Sequence, residues 1–361
     1  MSDQDYKFDE RLAYASTPPS RWYTDASVLE LEKEKVFGRT WQLAGRTEQV
    51  SEPGQFFTTL IADEPVIVVR GADETLRAFS NVCRHRAGPV ASGSGQRKSF
   101  QCGYHGWSYA LDGRLTGTPE FEGVECWNKA EQSLPLFRVE TWGALVFVNL
   151  DRECAPLSET LGDIPLRVGQ RDDWHSLRLA ARKDWELDCN WKVYVDNYLE
   201  GYHIPIVHPS LNREIDYARY RTETHHLYSI QHAPIKQVDK ARLRASEKTE
   251  ENKAQFFWIF PNLMLNVYAD NFSTNLIVPL GAARTLTIFE WYFREPEKPV
   301  VREKIESTIE FSDEIQLEDI SICEAVQRGL RSRNYTKGRY SVKRENGVHH
   351  FHKLLTEFLE R

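Results

Sequence analysis

Two short cysteine–histidine motifs constrain this 361-residue chain more than any other feature of its sequence. The first is Cys83-Arg84-His85, and sixteen residues later comes the second, Cys102-Gly103-Tyr104-His105. Both lie among short β-type runs broken by glycine and proline, so each motif is predicted to occupy a loop between strands. Two thiolates and two imidazoles on neighbouring loops form a complete donor set for one metal centre. The fold must therefore bring both loops to one place.

Two kinds of centre fit this donor set. A Cys2His2 zinc site is tetrahedral, and its loops usually place about two to four residues between ligands, whereas a single residue separates Cys83 from His85. In a [2Fe–2S] cluster of Rieske type, two histidines replace two cysteines on one iron. Small residues let backbone amides approach the cluster sulfurs. Those of the two loops are Gly88, Pro89, Gly93, Gly95, Gly103 and Gly106. The spacing favours the cluster over zinc.

A second set of metal ligands is predicted in a helix over Asn190–His203 and the residues that follow it. Asp196, Glu200 and His203 are spaced by four and three residues, which places them on one face of a helix. His203 and His208 are five residues apart and would point in different directions on an unbroken helix. Pro205 is predicted to break the helix between them, so that both imidazoles can reach one ion.

Two imidazoles and one carboxylate form the facial triad of non-haem Fe(II) oxygenases, which leaves coordination positions open. The carboxylate must come from another part of the chain, and the late helix predicted over Val301–Gly329 is the best source. The residues alone leave four acidic side chains in competition there, namely Asp313, Glu314, Glu318 and Asp319.

Hydrophobic patterning predicts an α+β protein. Residues 41–151 have the short runs of a small antiparallel domain, and after Pro156 strands mix with helices, the last at Phe351–Glu360. A surface helix is predicted at Asp25–Phe37. The predicted strands are Phe56–Ile61, Val66–Val69, Phe100–Cys102, Ala144–Val148, Phe256–Ile259, Met264–Val267, Asn275–Val278 and Thr285–Phe293.

Composition excludes several classes of protein. A chain that is 41% hydrophobic and 27% charged has the material for a globular core and is not disordered. The net charge of −7 argues against nucleic acid or an anionic membrane as the main partner. No apolar run reaches the roughly 18 to 20 residues of a membrane span, and the first residues lack the pattern of a signal peptide. We therefore expect a cytoplasmic protein whose six cysteines are metal ligands or buried thiols.

The first pair of motifs, followed by Gly106-Trp107-Ser108-Tyr109 and Leu111-Asp112-Gly113, resembles the Rieske domain of ring-hydroxylating oxygenase α subunits. The resemblance implies a Rieske [2Fe–2S] domain over residues 40–155 and a catalytic mononuclear iron domain over 156–361. The catalytic domain would have an antiparallel sheet flanked by helices (a helix-grip, START-like fold), and the helical segment 1–39 would pack with it. By the same resemblance Cys83 and Cys102 hold the ferric iron of the cluster, and His85 and His105 hold the redox-active one.

The late helix also resembles this family. Its Asp-x4-Glu pattern from Asp319, followed by Val326-Gln327-Arg328-Gly329-Leu330, matches the family segment that supplies the third ligand, which implies an Fe(II) site of His203, His208 and Asp319. Glu200 resembles the carboxylate that connects the two metals, with Asp196 and Asn197 as supporting catalytic residues.

Family membership would make this chain a terminal oxygenase that uses O2 and electrons from NAD(P)H. The chain has no Gly-x-Gly-x-x-Gly loop and no plant-type ferredoxin segment, so the electrons would come through a separate flavin and iron–sulfur reductase, with or without a ferredoxin. The family assembles as a homotrimer in which one subunit's cluster faces its neighbour's iron, with Glu200 at the interface.

The substrate is less constrained. Residues 260–268, 274–281 and 196–203 resemble choline monooxygenases, with one glycine fewer and a glutamate for an aspartate in the last segment. Four aromatic residues could surround a trimethylammonium group, namely Tyr202, Trp258, Tyr268 and Phe272. Aromatic residues in strands are more often core, however, so hydroxylation or demethylation of an aromatic acid is the second hypothesis.

Two further hypotheses involve no oxygenase activity: the chain is a Rieske electron carrier, or it is a zinc-stapled binding protein. A carrier would leave the chain after residue 155 without a role. The remaining histidines are predicted to be structural in one group (His225, His226 and His232) and exposed in the other (His349, His350 and His352).

Overall fold

The computed structural model describes residues 6–168, 176–234, 236, 253–268 and 271–361. The chain forms two compact units. One contains Lys33–Glu159, and the other contains the residues up to Glu32 and those from Thr160 onward. The boundary between the two units falls inside the first helix, between Glu32 and Lys33. Glu32 forms an ion pair with Lys192 of its own unit, and Lys33 forms one with Asp63 of the other unit.

The unit of residues 33–159 contains two antiparallel sheets. The larger has the strand order β1-β10-β9-β4-β3-β2-β5, and the smaller has the order β6-β7-β8. The strands are β1 Gln42–Arg46, β2 Gln55–Ile61, β3 Glu64–Arg70, β4 Leu76–Ser80, β5 Ser94–Gln96, β6 Phe100–Gln101, β7 Ser108–Tyr109, β8 Leu115–Gly117, β9 Leu136–Trp142 and β10 Leu145–Asn149.

Strand β3 separates two hydrophobic clusters of this unit. Its side chains alternate between the two faces of the sheet. Val66 and Val68 belong to one cluster, while Ile67 and Val69 belong to the other. The second cluster also contains Trp107 and the two cysteines of the metal motifs. The motif loops are therefore built directly on a packed core.

The other unit contains a seven-stranded antiparallel sheet in the order β11-β17-β16-β15-β14-β13-β12. Its strands are β11 Arg178–Leu187, β12 Arg221–Thr224, β13 Tyr228–Pro234, β14 Lys253–Ile259, β15 Leu263–Val267, β16 Asn271–Gly281 and β17 Arg284–Phe293. The helices of the chain are α1 Ala26–Lys35, α2 Leu157–Leu161, α3 Ile164–Val168, α4 Trp191–Tyr198, α5 Ile204–Val207, α6 Pro209–Glu214, α7 Pro299–Leu330 and α8 Asn346–Glu360.

Helices α4, α7 and α8 pack on the same face of this sheet. The face can be identified from the strand register, because residues paired across neighbouring strands lie on one face. Tyr198 of α4 donates to Asn266 at 2.9 Å. Gln316 of α7 donates to Thr287 at 3.2 Å. The ring of Trp258 packs edge-on against Phe351 of α8 at 5.3 Å. The strand register places Asn266, Thr287 and Trp258 on the same face.

The structure confirms the predicted α+β class, with a small antiparallel domain and a larger antiparallel sheet flanked by helices. Each of the eight predicted strands overlaps an observed one. No helix among the described residues is long and apolar enough to cross a membrane.

Helix α4 begins where the sequence predicts and ends earlier. The side chain of Asn190 caps its first turn by accepting a hydrogen bond from the amide of Lys192 at 3.1 Å. The helix ends at Tyr198 rather than His203. Beyond it, Glu200 accepts hydrogen bonds from the backbone amides of Tyr202 and His203, which then do not bond to helical carbonyls.

The prediction that Pro205 breaks the helix between the two histidines is therefore wrong. The break precedes His203, and Pro205 lies in the first turn of α5, where its missing N–H leaves no hydrogen bond unmade. Because Glu200 and His203 lie beyond α4, the prediction that they share a helical face with Asp196 is also wrong.

The histidines at the start of α8 are not on the surface, contrary to the prediction. His352 is 1% exposed and His349 is 9% exposed. Burial lowers the pKa of His350 to about 4. The apolar residues of α8 lie on its buried face, and His349 and His352 lie among them at helical spacing.

Candidate metal centres

His203, His208 and Asp319 come together in the unit that contains strands β11 to β17. Their ligand atoms lie within 4.8 Å of one another. Oδ1 of Asp319 lies 3.0 Å from Nε2 of His208 and 3.8 Å from Nε2 of His203. His208 is 1% exposed. The two histidines come from the two ends of α5, and Asp319 comes from the middle of α7. Their imidazole nitrogens thus face one carboxylate.

Each of these three side chains is held by a neighbouring residue, and the two histidines are held from the ring nitrogen that faces away from Asp319. Nδ1 of His203 lies 2.6 Å from Oε1 of Glu200, and Nδ1 of His208 lies 2.7 Å from Oε2 of Glu318. Such carboxylate contacts fix the ring orientation and leave Nε2 free to bind a metal. Asn197 donates from Nδ2 to Oδ1 of Asp319 at 2.6 Å. The donor set and its supports fit the 2-His-1-carboxylate arrangement of a mononuclear iron.

The charge of the site favours a cation. Burial lowers the pKa of His208, but hydrogen bonds to Asp319 and Glu318 and their negative charges raise it more, so the net pKa is above the ordinary value. An environment that stabilises a positive charge on this buried ring also stabilises a metal ion beside it.

The structure separates the four competing carboxylates of α7. Asp313 pairs with Lys183 at 2.6 Å, and Glu314 accepts a hydrogen bond from Ser210 at 2.6 Å. Glu318 lies on the Nδ1 side of His208. Asp319 alone among the four faces Nε2 of both histidines.

Asp196 and Asn197 are adjacent in sequence and point to different places. Asn197 reaches Asp319, whereas Asp196 accepts a hydrogen bond from the hydroxyl of Tyr23 at 2.8 Å and lies 2.9 Å from Nε2 of His352. Helix geometry turns successive side chains by about 100°. Asp196 therefore supports the helix, while Asn197 supports the candidate ligand.

In the unit of residues 33–159, the two motif loops close with the same backbone hydrogen bonds. The amides of Ala87 and Gly106 donate to the carbonyls of Cys83 and Cys102, respectively, at 3.0 Å. The amides of the two cysteines donate in turn to the carbonyls of Gly88 and Trp107 at 2.8 Å. Ala87 and Gly106, at equivalent places, both have positive φ, 56° and 74°. The two loops therefore present their cysteines in the same way, whereas the histidines follow at different positions, two residues after Cys83 and three after Cys102.

The cysteines lie inside the unit and the histidines lie at its rim. Cys83 is 3% exposed and Cys102 is 2% exposed, while His105 is exposed. The rings of His85 and His105 are 4.6 Å apart, and Nδ1 of His85 is buried without a hydrogen-bond partner. Sulfur donors within and nitrogen donors outside fit a cluster with one Cys-ligated and one His-ligated iron.

Two neighbours shape the sulfur side of this centre. At Gly88 a Cβ atom would lie 3.0 Å from Sγ of Cys102, so a larger residue would crowd the sulfur. The hydroxyl of Tyr109 lies 3.3 Å from Sγ of Cys83 and accepts from the amide of Arg84 at 3.0 Å. Burial and the contact with Cys83 raise the pKa of Tyr109, so the phenol keeps its proton and can donate it to the sulfur.

The four aromatic residues predicted to form a substrate cage do not surround one space. Trp258 belongs to the packing between the sheet and α8. Phe272 stacks on Tyr292 at 4.3 Å, on the opposite face of the sheet from Trp258. Tyr202 is 57% exposed. The ring centroids of Tyr268 and Phe256 lie 6.2 Å apart, and Phe256 was not among the predicted residues.

Comparison with known proteins agrees with this geometry. Residues 174–361 match the family described as ring hydroxylating alpha subunit (catalytic domain), and residues 40–128 match the Rieske [2Fe–2S] domain. The chain belongs to the ring-hydroxylating oxygenase α-subunit family. This excludes the Rieske electron carrier and the zinc-stapled binding protein, since the catalytic domain occupies about half of the chain.

Three relatives of this oxygenase match nearly its whole length. The chloroplastic choline monooxygenase of Arabidopsis thaliana is 36% identical over 97% of this chain and 85% of its own. The carnitine monooxygenase oxygenase subunit of Escherichia coli (strain K12) is 33% identical over 95% of this chain and 94% of its own. A solved quaternary ammonium Rieske monooxygenase has a TM-score of 0.85 and 31% identity, covering 96% of each chain.

Membership in the family establishes the class of enzyme. The chain is a Rieske non-haem iron oxygenase with a [2Fe–2S] cluster and a mononuclear iron, and it works with O2 and a separate reductase. When bound, the cluster would supply electron transfer and the mononuclear iron would supply O2 activation.

Proposed function

We propose that this oxygenase oxidises a small quaternary ammonium compound of the choline, betaine or carnitine type, by hydroxylation or by N-demethylation. The observation that carries the proposal is the near full-length match to choline and carnitine monooxygenases, the latter over 94% of its own length. The second hypothesis, an aromatic acid, has no comparable support.

Two aromatic rings and a carboxylate on the iron side of the sheet support this substrate class. Phe256 packs in a cluster with Ile204, the residue after the candidate ligand His203, and lies edge-on to Tyr268. Burial and the negative charge of Glu214 raise the pKa of Tyr268 to about 12. Aromatic rings near a carboxylate are the environment that a trimethylammonium group prefers.

We assign the metals as the sequence predicted. Fe(II) would be held by His203, His208 and Asp319, with positions left open for the reactants. The cluster would be held by the four ligands of the motif loops, Cys83, His85, Cys102 and His105. Asn197 and Glu318 would orient the iron ligands, and Glu200 would connect His203 to a cluster histidine.

The substrate is tested in a single turnover. The purified protein is reduced chemically and mixed with O2 and a pool of choline, betaines, carnitine and aromatic acids, and products are identified by mass spectrometry. We expect one quaternary amine to be oxidised or demethylated. A hydroxylated or demethylated aromatic acid as the product would overturn the substrate class while leaving the metal assignments in place.

We further propose that the enzyme is a homotrimer in which one subunit's cluster serves its neighbour's iron, with electrons supplied by a flavin and iron–sulfur reductase. Apolar side chains are exposed beside both centres: Ile206 is 84% exposed next to the iron ligands, and Tyr104 is 58% exposed next to His105. The solved quaternary ammonium monooxygenase was described as revealing inter-subunit electron transfer. Glu200 would then lie at the interface.

Mixed trimers test this arrangement. A chain with Asp319→Ala keeps its cluster, and a chain with His105→Ala keeps its iron, so neither is active alone. Co-expressed in equal amounts, they should recover about a quarter of the wild-type turnover, because about one head-to-tail interface in four joins an intact cluster to an intact iron. Turnover is measured after sedimentation has established the trimer. No recovery in a mixed trimer would contradict electron transfer between subunits.

A further inference from the structure

Asp196 is held from the side of α4 that faces away from the candidate iron ligands. Tyr23 donates from its hydroxyl to Oδ2 of Asp196 at 2.8 Å, and Nε2 of His352 lies 2.9 Å from Oδ1. The hydroxyl of Tyr340 lies 2.7 Å from Nδ1 of His352. These four side chains, Tyr23, Asp196, Tyr340 and His352, are called the α4 anchor below.

The proton positions in the α4 anchor follow from its chemistry. Burial raises the pKa of both Tyr23 and Tyr340, so each phenol keeps its proton and donates it. Tyr23 donates to Asp196, and Tyr340 donates to Nδ1 of His352. Nε2 of His352 must then carry the ring proton, which it donates to the oxygen of Tyr23 at 2.9 Å, while Oδ1 of Asp196 lies 2.9 Å away without forming a hydrogen bond. Every polar atom of the ring has a defined partner.

The α4 anchor is connected to both helices that meet at the candidate iron site. The hydroxyl of Tyr23 bonds to Asp196 on α4, and its backbone carbonyl accepts a hydrogen bond from Gln327 on α7 at 3.1 Å. The next residue of α4, Asn197, donates to Asp319 on α7 at 2.6 Å. Tyr23 thus ties together the same two helices that the Asn197–Asp319 hydrogen bond joins.

We propose that His352 is a positioning residue for the mononuclear iron, acting through Tyr23 and Asp196 to hold Asn197 of α4 against Asp319. His352 comes from the C-terminal helix and touches no candidate ligand, and it is 1% exposed. Its loss removes the donor to the Tyr23 hydroxyl, which is then held less firmly against the partly buried carboxylate of Asp196, so α4 shifts relative to α7. The inference rests on the proposed iron site.

The test measures iron rather than turnover alone. For His352→Leu we expect the dissociation constant for Fe(II), measured by chelator competition, to rise about tenfold, at the lower end of the effect of losing a ligand-orienting group. The electron paramagnetic resonance spectrum of the ferrous site with nitric oxide should change shape. His352→Gln keeps an N–H that can reach the hydroxyl of Tyr23 and should restore most of the affinity and the wild-type spectrum.

His349→Leu is the matched control. His349 lies on the same helix, is buried to a similar degree, and bonds through Nε2 to the backbone carbonyl of Asp9 at 2.8 Å. It should lose stability without changing Fe(II) affinity by more than about twofold, because its partner does not belong to the α4 anchor. Equal loss of affinity in the two leucine variants, or wild-type affinity and spectrum in both, would overturn the proposal.

Two further variants keep the test decisive. If His352→Leu does not fold, Tyr340→Phe removes only the hydroxyl that orients the ring and should show the same spectral change to a smaller extent; an unchanged spectrum would overturn the proposal. Asp319→Ala separates the two levels of inference. If it abolishes Fe(II) binding while the His352 variants bind normally, the iron site stands and the positioning role fails.

Discussion

Asp319→Ala is expected to lower product formation by at least about 10³-fold, because loss of one of three ligands removes several kcal/mol of metal-dependent stabilisation, and each 1.4 kcal/mol or so is a factor of about ten. The visible absorption of the Rieske cluster should not change, because the four ligands of the cluster belong to the other compact unit. Both quantities are measured on the same preparation, together with its iron content.

Asp313→Ala is the control for this prediction. Asp313 is a carboxylate on the same helix, and it pairs with Lys183 rather than with a ligand histidine. We expect its variant to bind iron and turn over nearly as the wild type does. Normal turnover in Asp319→Ala, or an equal loss in both variants, would contradict the assignment of Asp319.

Glu200→Ala is expected to leave the cluster intact and to slow its oxidation by the iron site. Glu200 holds Nδ1 of His203 at 2.6 Å, a distance typical of a charge-assisted hydrogen bond. Such bonds contribute about 1.5–3 kcal/mol, which corresponds to a rate loss of about 10- to 100-fold. The rate of cluster oxidation is followed by stopped flow in a single turnover, with excess Fe(II) to keep the iron site filled.

Glu318→Ala separates electron transfer from iron binding. Glu318 supports His208 as Glu200 supports His203, at 2.7 Å, but it has no predicted role between the metals. Its variant should bind Fe(II) about 10- to 100-fold more weakly and still oxidise the cluster at the wild-type rate once iron is saturating. If Glu200→Ala also oxidised its cluster at that rate, Glu200 would not connect the two metals.

The cluster motifs were readable from sequence because their ligands are local. Cys83 and His85 belong to one loop, and Cys102 and His105 to another, so spacing and donor chemistry already defined the centre. The depth of the cysteines and the matching backbone hydrogen bonds of the two loops depend on the core beneath them, which sequence spacing does not describe.

Long-range contacts were not readable in the same way. Asp319 was one of four acidic residues on α7, and its choice needed either a family resemblance or the distance to His208. Phe272 and Trp258 have similar sequence settings in strands, yet the register of the sheet places them on opposite faces. A one-residue change in register reverses the face of a side chain, so no strand pattern alone could have decided this.

The sequence by itself determined the α+β class, which residues can bind metal and which family the chain resembles, because propensity, spacing and donor chemistry are properties of short segments. The tertiary structure alone decided which carboxylate meets both histidines, where α4 ends, and that His352 lies buried against Asp196. The first and last of these features join residues more than a hundred positions apart, and their energies come from burial and from hydrogen bonds that form only when distant segments pack together.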